Sequence, residues 1–156
     1  MKRKTILICT VGIISILSFG ILSCSQETGT VMLPLDRPPA PDIIEISCDE
    51  FGAEKNIAKE VEIPHPSSQI VILCANPTTG FQWTESAQIS DEAVIYQYEH
   101  NFVPPDEEEV FGAPGKDVWT FKTLKQGTST ISMDYSRPWE GGEQKEWTFT
   151  LLITVK

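Results

Sequence analysis

A series of short runs of β-type residues, separated by turn residues, constrains the fold of this chain more than any other feature of its sequence. A strand with one buried face alternates large apolar and polar side chains. The alternating runs are 118–121, 129–135 and 146–155, and two earlier runs, 43–46 and 69–73, are rich in β-branched residues. The strongest helix candidate, 54–60, is too short to change the fold class. Strands of this kind predict an all-β sandwich of about seven strands.

The four tryptophans separate into two groups by their context. Trp83 lies early in the strand expected after the first long turn, where immunoglobulin-like sandwiches bury a Trp between their sheets. Trp119 and Trp147 also lie in strand patterns, so we expect both in the core. Trp139 lies between Arg137-Pro138 and a Gly-Gly pair, which is a loop context that predicts an exposed side chain. The fold expected is therefore a β-sandwich of the immunoglobulin-like kind.

The first 23 residues are typical of a secretory signal peptide, because a basic start precedes an apolar run from 6 to 22. The run ends in Ile-Leu-Ser-Cys, which resembles a bacterial lipobox whose Cys24 carries the lipid and becomes the N-terminus. The alternative is an uncleaved anchor, since about 20 apolar residues span a bilayer. We expect an extracytoplasmic lipoprotein that Cys24 attaches to a bacterial membrane, on the periplasmic face or at the cell surface.

The mature chain divides into a tether and one domain. Residues 24–41 contain four prolines and little apolar pattern, which favours an extended, semi-rigid spacer. Residues 42–156 carry all the strand signals and form the predicted domain. Losing the three basic residues of the signal peptide changes the formal net charge from −10 to −13. A domain this acidic is a poor partner for nucleic acid, whose binding depends on Lys and Arg.

Two cysteines remain in the predicted domain, because Cys9 leaves with the signal peptide and Cys24 carries the lipid. Cys48 and Cys74 lie at or in strand-like runs, 43–48 and 69–75. In an oxidising compartment they either form one disulfide or remain two buried thiols that never meet. The sequence leaves both alternatives open.

The histidines give little support to an enzyme or a metal site. The chain contains only His65 and His100, and neither has metal-ligand spacing to a Cys or to the other His. A nucleophile–base pair would need a strand-interior cysteine beside one of them. We therefore expect a non-enzyme that needs no metal and no cofactor.

A compact turn between two strand-like runs carries the strongest functional signal. Its Asn-Pro start favours turn initiation, Gly80 accepts a positive φ without steric cost, and two stiff, β-branched threonines lie between them. The residues of the turn are Asn76, Pro77, Thr78, Thr79, Gly80 and Phe81. Taken alone, this pattern is also that of an ordinary loop between strands.

Three segments of the chain, in order and at suitable separations, resemble the three loops of the chagasin family of cysteine-protease inhibitors. The octet 76–83 is similar to the first loop. The segment 101–106 leads into Gly112, Ala113, Pro114 and Gly115, which is similar to the Gly-rich second loop. The segment 135–142, with Arg137, Pro138 and Trp139, is similar to the third, Arg-Pro-Trp loop. The resemblance extends from about Ile43 to the C-terminus and is weak before Gln69.

The resemblance implies reversible, tight-binding inhibition of papain-like cysteine proteases. In this family three loops at one end of an immunoglobulin-like sandwich enter the protease cleft. Thr78 and Thr79 would lie nearest the protease's Cys–His pair, Trp139 would pack on the leaving-group side, and Arg137 would hold its loop or bond across the rim. The Gly112–Gly115 loop would contact the opposite side.

Two features of the second loop modify this expectation. The family pattern Gly-x-Gly-Gly has Pro114 at its third position here, and proline fixes φ and removes an N–H donor. The acidic run 106–109 upstream would either steer a basic protease surface or act as a solvated loop face.

The alternative function is a non-inhibitory, surface-exposed immunoglobulin-like binding module, since fold does not fix function. A monomer is expected in either case.

Overall fold

The computed structural model of the chain describes residues 39–105 and 112–156. The predicted signal peptide (1–23), the predicted lipid-attachment residue Cys24 and most of the predicted tether lie outside these ranges, as does the acidic run 106–109. The described residues begin three positions before the first strand.

Nine strands and one short helix form the described part of the chain. In chain order they are β1 (Asp42–Ile46), α1 (Cys48–Ala53), β2 (Asn56–Ile63), β3 (Ser68–Ala75), β4 (Gln82–Trp83), β5 (Gln88–Ile89), β6 (Ile95–Val103), β7 (Gly115–Thr123), β8 (Gly127–Ser136) and β9 (Trp147–Val155). Since β4 and β5 have only two residues each, seven strands are long, and the prediction of an all-β fold with about seven strands is confirmed.

The strands form two mixed sheets. The first has the order β1-β3-β7-β6, and the second has the order β2-β9-β8, with both β4 and β5 paired to β8. The pairs β1–β3 and β2–β9 are parallel, and the other pairs are antiparallel. Each of the two parallel pairs joins strands that are not consecutive in the chain, so the sheets depend on long-range pairing.

The pairing brings the predicted loops together. Ala75, at the end of β3, lies opposite Gly115, at the start of β7, so the first and second loops leave the same sheet side by side. Gln82 of β4 lies opposite Ser136 of β8, so the end of the first loop meets the start of the third. Strand register therefore positions three distant segments at one end of the fold.

The alternating side chains of the long strands fill the core. Residues at odd positions of β7, β8 and β9 point inward, as the period of two predicts. Those with almost no exposure are Trp119, Phe121, Ile131, Met133, Phe149, Leu151 and Ile153. Trp83 is also buried and Trp147 packs against the core, whereas Trp139 is exposed. The two groups of tryptophans predicted from context are thus confirmed.

The helix α1 lies elsewhere than the weak helical signal suggested. Ser47 caps it, because its hydroxyl accepts from the Glu50 N–H while the Glu50 carboxylate accepts from the Ser47 N–H. Phe51 of the helix is fully buried. The candidate at 54–60 is wrong, because most of it pairs with β9 as the start of β2. Within the described ranges, no helix is long and apolar enough to cross a bilayer.

The structure joins Cys48 and Cys74 in a disulfide, with their Cα atoms 5.1 Å apart. Cys74 lies in β3, as expected, but Cys48 begins α1 rather than ending a strand. The carbonyl of Cys74 accepts a hydrogen bond from the indole N–H of Trp83, at 2.9 Å. The disulfide and this bond hold the end of β3, two residues before the first loop.

Candidate functional site

Loop 1, residues 76–81, is a 3₁₀ turn whose side chains bond to its own backbone. The side-chain oxygen of Asn76 accepts from the Thr78 N–H at 3.2 Å and from the Thr78 hydroxyl at 2.6 Å. The Thr79 hydroxyl donates to the Asn76 carbonyl at 2.7 Å. Pro77, Thr78 and Thr79 are all exposed. The two hydroxyls that the sequence placed at the tip are therefore used inside the turn, and they stiffen it.

Two features of the structure require glycine at position 80 of loop 1. Its φ of 81° lies in the left-handed region, which favours glycine. A Cβ atom built on it would lie 2.6 Å from the ring of Trp139, so the indole packs directly on the glycine backbone. Gly80 thus places the exposed aromatic of the third segment against loop 1.

Loop 3, residues 137–146, is held by backbone bonds and by one arginine. The Arg137 N–H donates to the Glu143 carbonyl, and the Gln144 side chain donates to the Arg137 carbonyl at 2.9 Å. The Arg137 guanidinium lies 4.3 Å from the ring centre of Phe81 and donates to the Thr79 carbonyl at 3.4 Å. Arg137 therefore faces loop 1, where it stacks on Phe81 and bonds the backbone.

Trp139 is the most exposed large aromatic among the described residues of the three loops. Its exposed fraction is 53%, and Pro138 before it is exposed as well. Because the other part of the indole covers Gly80, its position is fixed even though half of its surface faces solvent. A preordered, half-exposed Trp is suited to bury apolar area against a partner.

Loop 2, residues 104–114, is described only at its two ends. The carbonyl of Gly112 accepts from the Asn76 side-chain amide at 2.9 Å, which joins this loop to loop 1. Gly112 has a φ of 90°, whereas Ala113 is half-buried and Pro114 is exposed. The exposed ring of Pro114 forms part of the loop surface where the family pattern has glycine.

Gly115 is a packing glycine rather than a flexible loop end. It is buried at the start of β7, and a Cβ atom there would lie 2.5 Å from the Val103 carbonyl and 2.6 Å from the ring of Phe102. Phe102 is 41% exposed beside it. The sequence identified the 101–106 segment but gave no sign that Phe102 would pack on this glycine.

A stack of aromatic rings supports loops 1 and 3. Phe81 stacks on Tyr135, Tyr135 on Trp147 and Trp147 on Phe51, with ring centres 5.4, 4.7 and 5.0 Å apart.

The Tyr135 hydroxyl accepts from the Asn76 N–H at 2.9 Å. Burial raises the pKa of Tyr135, while hydrogen bonds with Asn76 and Thr79 oppose that shift. The sequence placed Tyr135 in a strand but missed that its hydroxyl anchors loop 1.

A cavity of about 170 Å³, called here the Asp117 pocket, lies between loop 1 and the end of β6. It is lined by Pro77, Phe81, Gln82, Trp83, Phe102 and Asp117.

Asp117 is 8% exposed and its carboxylate lies 2.8 Å from Nε2 of His100, whose ring stacks on Trp119 at 4.5 Å. Burial raises the pKa of Asp117, and the hydrogen bond and charge of His100 oppose the shift. Sequence reasoning missed this pair, because only β6–β7 pairing brings it together.

The described ranges contain no group of three or more Cys, His, Asp or Glu side chains arranged to hold a metal ion. His65 lies 3.1 Å from the hydroxyl of Thr123, which is at the end of β7 opposite to loop 2. Cys74 is in the disulfide. The arrangement of the loops is that of a rigid contact surface, since its polar groups hold one another.

Comparison with protein families gives a match that spans the loops. A family model described as Chagasin family peptidase inhibitor I42 matches residues 63–153, more than half of the chain. Amoebiasin-2 from Entamoeba histolytica is 29% identical over 89 residues, which cover 54% of this chain and 67% of that protein.

The fold has a counterpart among solved structures. The crystal structure of the cysteine protease inhibitor EhICP2 from Entamoeba histolytica superposes with a TM-score of 0.59 and 24% sequence identity. The superposition covers 76% of this chain and 99% of the other chain. This likeness shows that the two chains share a fold.

Proposed function

The chain belongs to the chagasin family of peptidase inhibitors, and we propose that it is a reversible, tight-binding inhibitor of papain-like cysteine proteases that occludes their active-site cleft with three loops. One observation carries the proposal: the three segments that resemble the inhibitory loops contact one another at one end of the sandwich. Asn76 bonds Gly112, Arg137 bonds Thr79 and Trp139 covers Gly80. The family match over residues 63–153 supports peptidase inhibition, and EhICP2, whose fold the chain shares, is a cysteine protease inhibitor.

Loop 1 is the part proposed to enter the catalytic cleft. Its tip is exposed, while the hydroxyls of Thr78 and Thr79 are bonded within the turn. A protease would therefore meet a stiff backbone rather than an extended peptide, and no scissile bond would reach its Cys–His pair in a reactive geometry. Occlusion without cleavage follows from this rigidity.

Loops 3 and 2 are proposed to contact the two sides of the cleft. Trp139 supplies a half-exposed indole, and Arg137 keeps that loop against loop 1. Pro114 and Gly112 present the surface of loop 2. A loop that is already ordered loses little entropy when it docks, which favours the high affinity typical of protease–inhibitor interfaces.

The proposal is tested by titrating the full chain against papain and a cathepsin-L-type protease, with trypsin as the control. We expect stoichiometric, reversible inhibition of the two cysteine proteases and none of trypsin. If a folded chain inhibits neither cysteine protease, the proposal fails, and a non-inhibitory binding module becomes the better explanation of the same surface.

We also propose that the inhibitor is a monomer outside the cytoplasm, attached to a bacterial membrane through a lipid on Cys24. The basic start, the apolar run and the lipobox-like end of residues 1–24 support this placement. Fractionation of cells producing the wild-type chain and a Cys24→Ala variant provides the test. Wild type should sediment with membranes and the variant should not; equal release of both would exclude the anchor.

A further inference from the structure

The Asp117 pocket combines a buried carboxylate with apolar walls. Phe102 and Asp117 lie opposite each other on β6 and β7, and Pro77 and Phe81 of loop 1 line the other side. Arginine and lysine side chains pack their methylene groups on apolar surfaces while the charged end reaches an acidic partner. The composition of the pocket is therefore complementary to one long basic side chain.

The Asp117 carboxylate has acceptor capacity to spare. One of its oxygens is 2.8 Å from His100 Nε2, and among residues 39–105 and 112–156 no other hydrogen bond reaches the carboxylate. An ionised carboxylate offers about four lone-pair sites. A buried carboxylate with so few partners is costly to ionise, so a second cationic donor in the pocket would stabilise it.

The position of the pocket connects it with the proposed binding surface. Pro77 and Phe81 belong to loop 1, so a partner seated on that loop lies beside the pocket. A volume of about 170 Å³ is of the order of a single large side chain. The acidic chain, with a formal net charge of −10, also attracts basic surfaces during encounter.

We propose that the Asp117 pocket binds one arginine or lysine side chain presented by the partner protease. This rests on the proposed function and adds a determinant of specificity to it: proteases with a basic residue at the matching surface position are inhibited more strongly. The carboxylate of Asp117 accepts hydrogen bonds from the cation, and Phe81, Phe102 and Pro77 contact its aliphatic stem.

The chemistry of the pocket is tested without any protease. Nα-acetyl-arginine methylamide is titrated into the full chain, with the uncharged, isosteric citrulline compound as the control, and the NMR signals of the Trp83 indole N–H and the His100 ring are followed. We expect saturable shifts with the arginine probe. Citrulline should bind at least about tenfold more weakly, because its ureido group keeps N–H donors but lacks the charge that strengthens a hydrogen bond to a carboxylate. Equal binding of the two probes overturns the proposal.

Two pocket variants, each with a matched control outside the pocket, test whether the arginine probe binds in the Asp117 pocket. Asp117→Asn should reduce arginine binding to the citrulline level, whereas Glu62→Gln removes the same charge at an exposed site outside the pocket and should not. Gln82→Lys, at an exposed lining residue, supplies a competing cation and should block the probe; Gln88→Lys adds the same charge on β5 and should not. Probe binding that survives both pocket variants overturns the proposal.

Inhibition kinetics then assign the source of the cation. Asp117→Asn should raise the inhibition constant for a sensitive cysteine protease by about tenfold through faster dissociation, with Glu62→Gln unchanged. An unchanged constant for Asp117→Asn overturns the assignment to the protease and leaves the proposed function intact. If the wild-type chain inhibits no cysteine protease, the proposed function fails and the assignment fails with it, while the arginine titration still decides the chemistry of the pocket.

Discussion

Single side chains fix the geometry of the three loops, and one of them, Tyr135, is buried. Asn76 bonds Thr78 within loop 1 and Gly112 in loop 2, and its own N–H is held by the Tyr135 hydroxyl. Arg137 bonds the backbone of loop 1 from loop 3. The residues proposed to contact a protease are thus positioned by neighbours that need not touch it.

Trp139→Ala should weaken inhibition by about 2 kcal/mol or more, because buried tryptophans are among the commonest interface hot spots. The free energy of unfolding should also fall, but by less than for a fully buried Trp, because only the half of the indole that covers Gly80 is lost from a packed site. Inhibition constants and denaturant unfolding curves measure the two effects. An unchanged inhibition constant would remove Trp139 from the interface.

Tyr135→Phe should keep the aromatic stack and remove the anchor of loop 1. The Asn76 N–H then loses its partner, at a cost of about 1 kcal/mol in the free energy of unfolding. The dissociation rate of the protease complex should also increase, because loop 1 is less ordered before binding. A variant with wild-type dissociation would show that the hydroxyl serves stability alone.

Ionisation of Tyr135 should lower the stability of the fold at alkaline pH. Burial raises the pKa of Tyr135, so the folded state keeps the phenolic proton to a higher pH than the unfolded state does. The protonated Tyr135 contributes fully to stability below its unfolded-state pKa of about 10, and this contribution decreases as pH rises through its folded-state pKa. The free energy of unfolding should therefore fall above about pH 10 in wild type, and less steeply in Tyr135→Phe.

The small elements tie the strands to the loops. The helix α1 supplies Phe51 to the core and Cys48 to the disulfide, and the disulfide fixes β3 two residues before loop 1. The two-residue strand β4 then holds the end of loop 1 against β8. Elements too short to be stable alone are maintained here by tertiary contacts.

Replacing Cys48 and Cys74 by alanine should lower the free energy of unfolding by about 3 kcal/mol, as the chain-entropy model gives for a loop of this length. Thermal unfolding of the wild type with and without reductant provides the same comparison without mutation. A double variant as stable as wild type would mean that packing of α1 alone holds this end of the fold.

Glu50→Ala tests the capping box of α1. Hydrogen bonds with Ser47 lower the pKa of Glu50, so its contribution to stability exists above the unfolded pKa of about 4.3 and is lost as pH falls through the folded value. The variant should be less stable than wild type at neutral pH, and the difference should shrink in acid. A difference independent of pH would show that the ionised Glu50 carboxylate is not its source.

At the scale of the whole molecule, the two sheets create a single end where segments from three parts of the chain meet. Loop 1 follows β3, loop 2 precedes β7 and loop 3 follows β8. The rest of the sandwich is a support whose rigidity comes from its packed core. Binding is therefore expected to depend on the described domain rather than on the residues before it.

Removing residues 1–38 should leave the melting temperature and the inhibition constant unchanged, because the sequence assigns that segment to targeting and to a spacer. Thermal unfolding and protease titration of the shortened and full chains check this. A shortened chain that inhibits more weakly would show that the N-terminal segment takes part in binding.

The sequence by itself determined the fold class and the local geometry of loop 1, and its resemblance to the chagasin family identified the three segments of the candidate site. Alternation in 118–121, 129–135 and 146–155 specifies strands with one buried face, and the turn residues of loop 1 carry their geometry locally. These features are readable because they depend on neighbours in the chain. The helical signal at 54–60 did not predict the position of α1. The capping box of α1 is local, but Phe51 is held in the core by the rings of Trp83 and Trp147, which are distant in the chain.

Only the tertiary structure decided how the segments meet. A pattern with a period of two says which face of a strand is buried but not which strand lies beside it. The pairing of β3 with β7 and of β6 with β7 set Gly112 beside Asn76 and Asp117 beside His100, and the Cys48–Cys74 disulfide required the same assembly. Contacts between residues far apart in the chain depend on this register, and local preferences do not encode it.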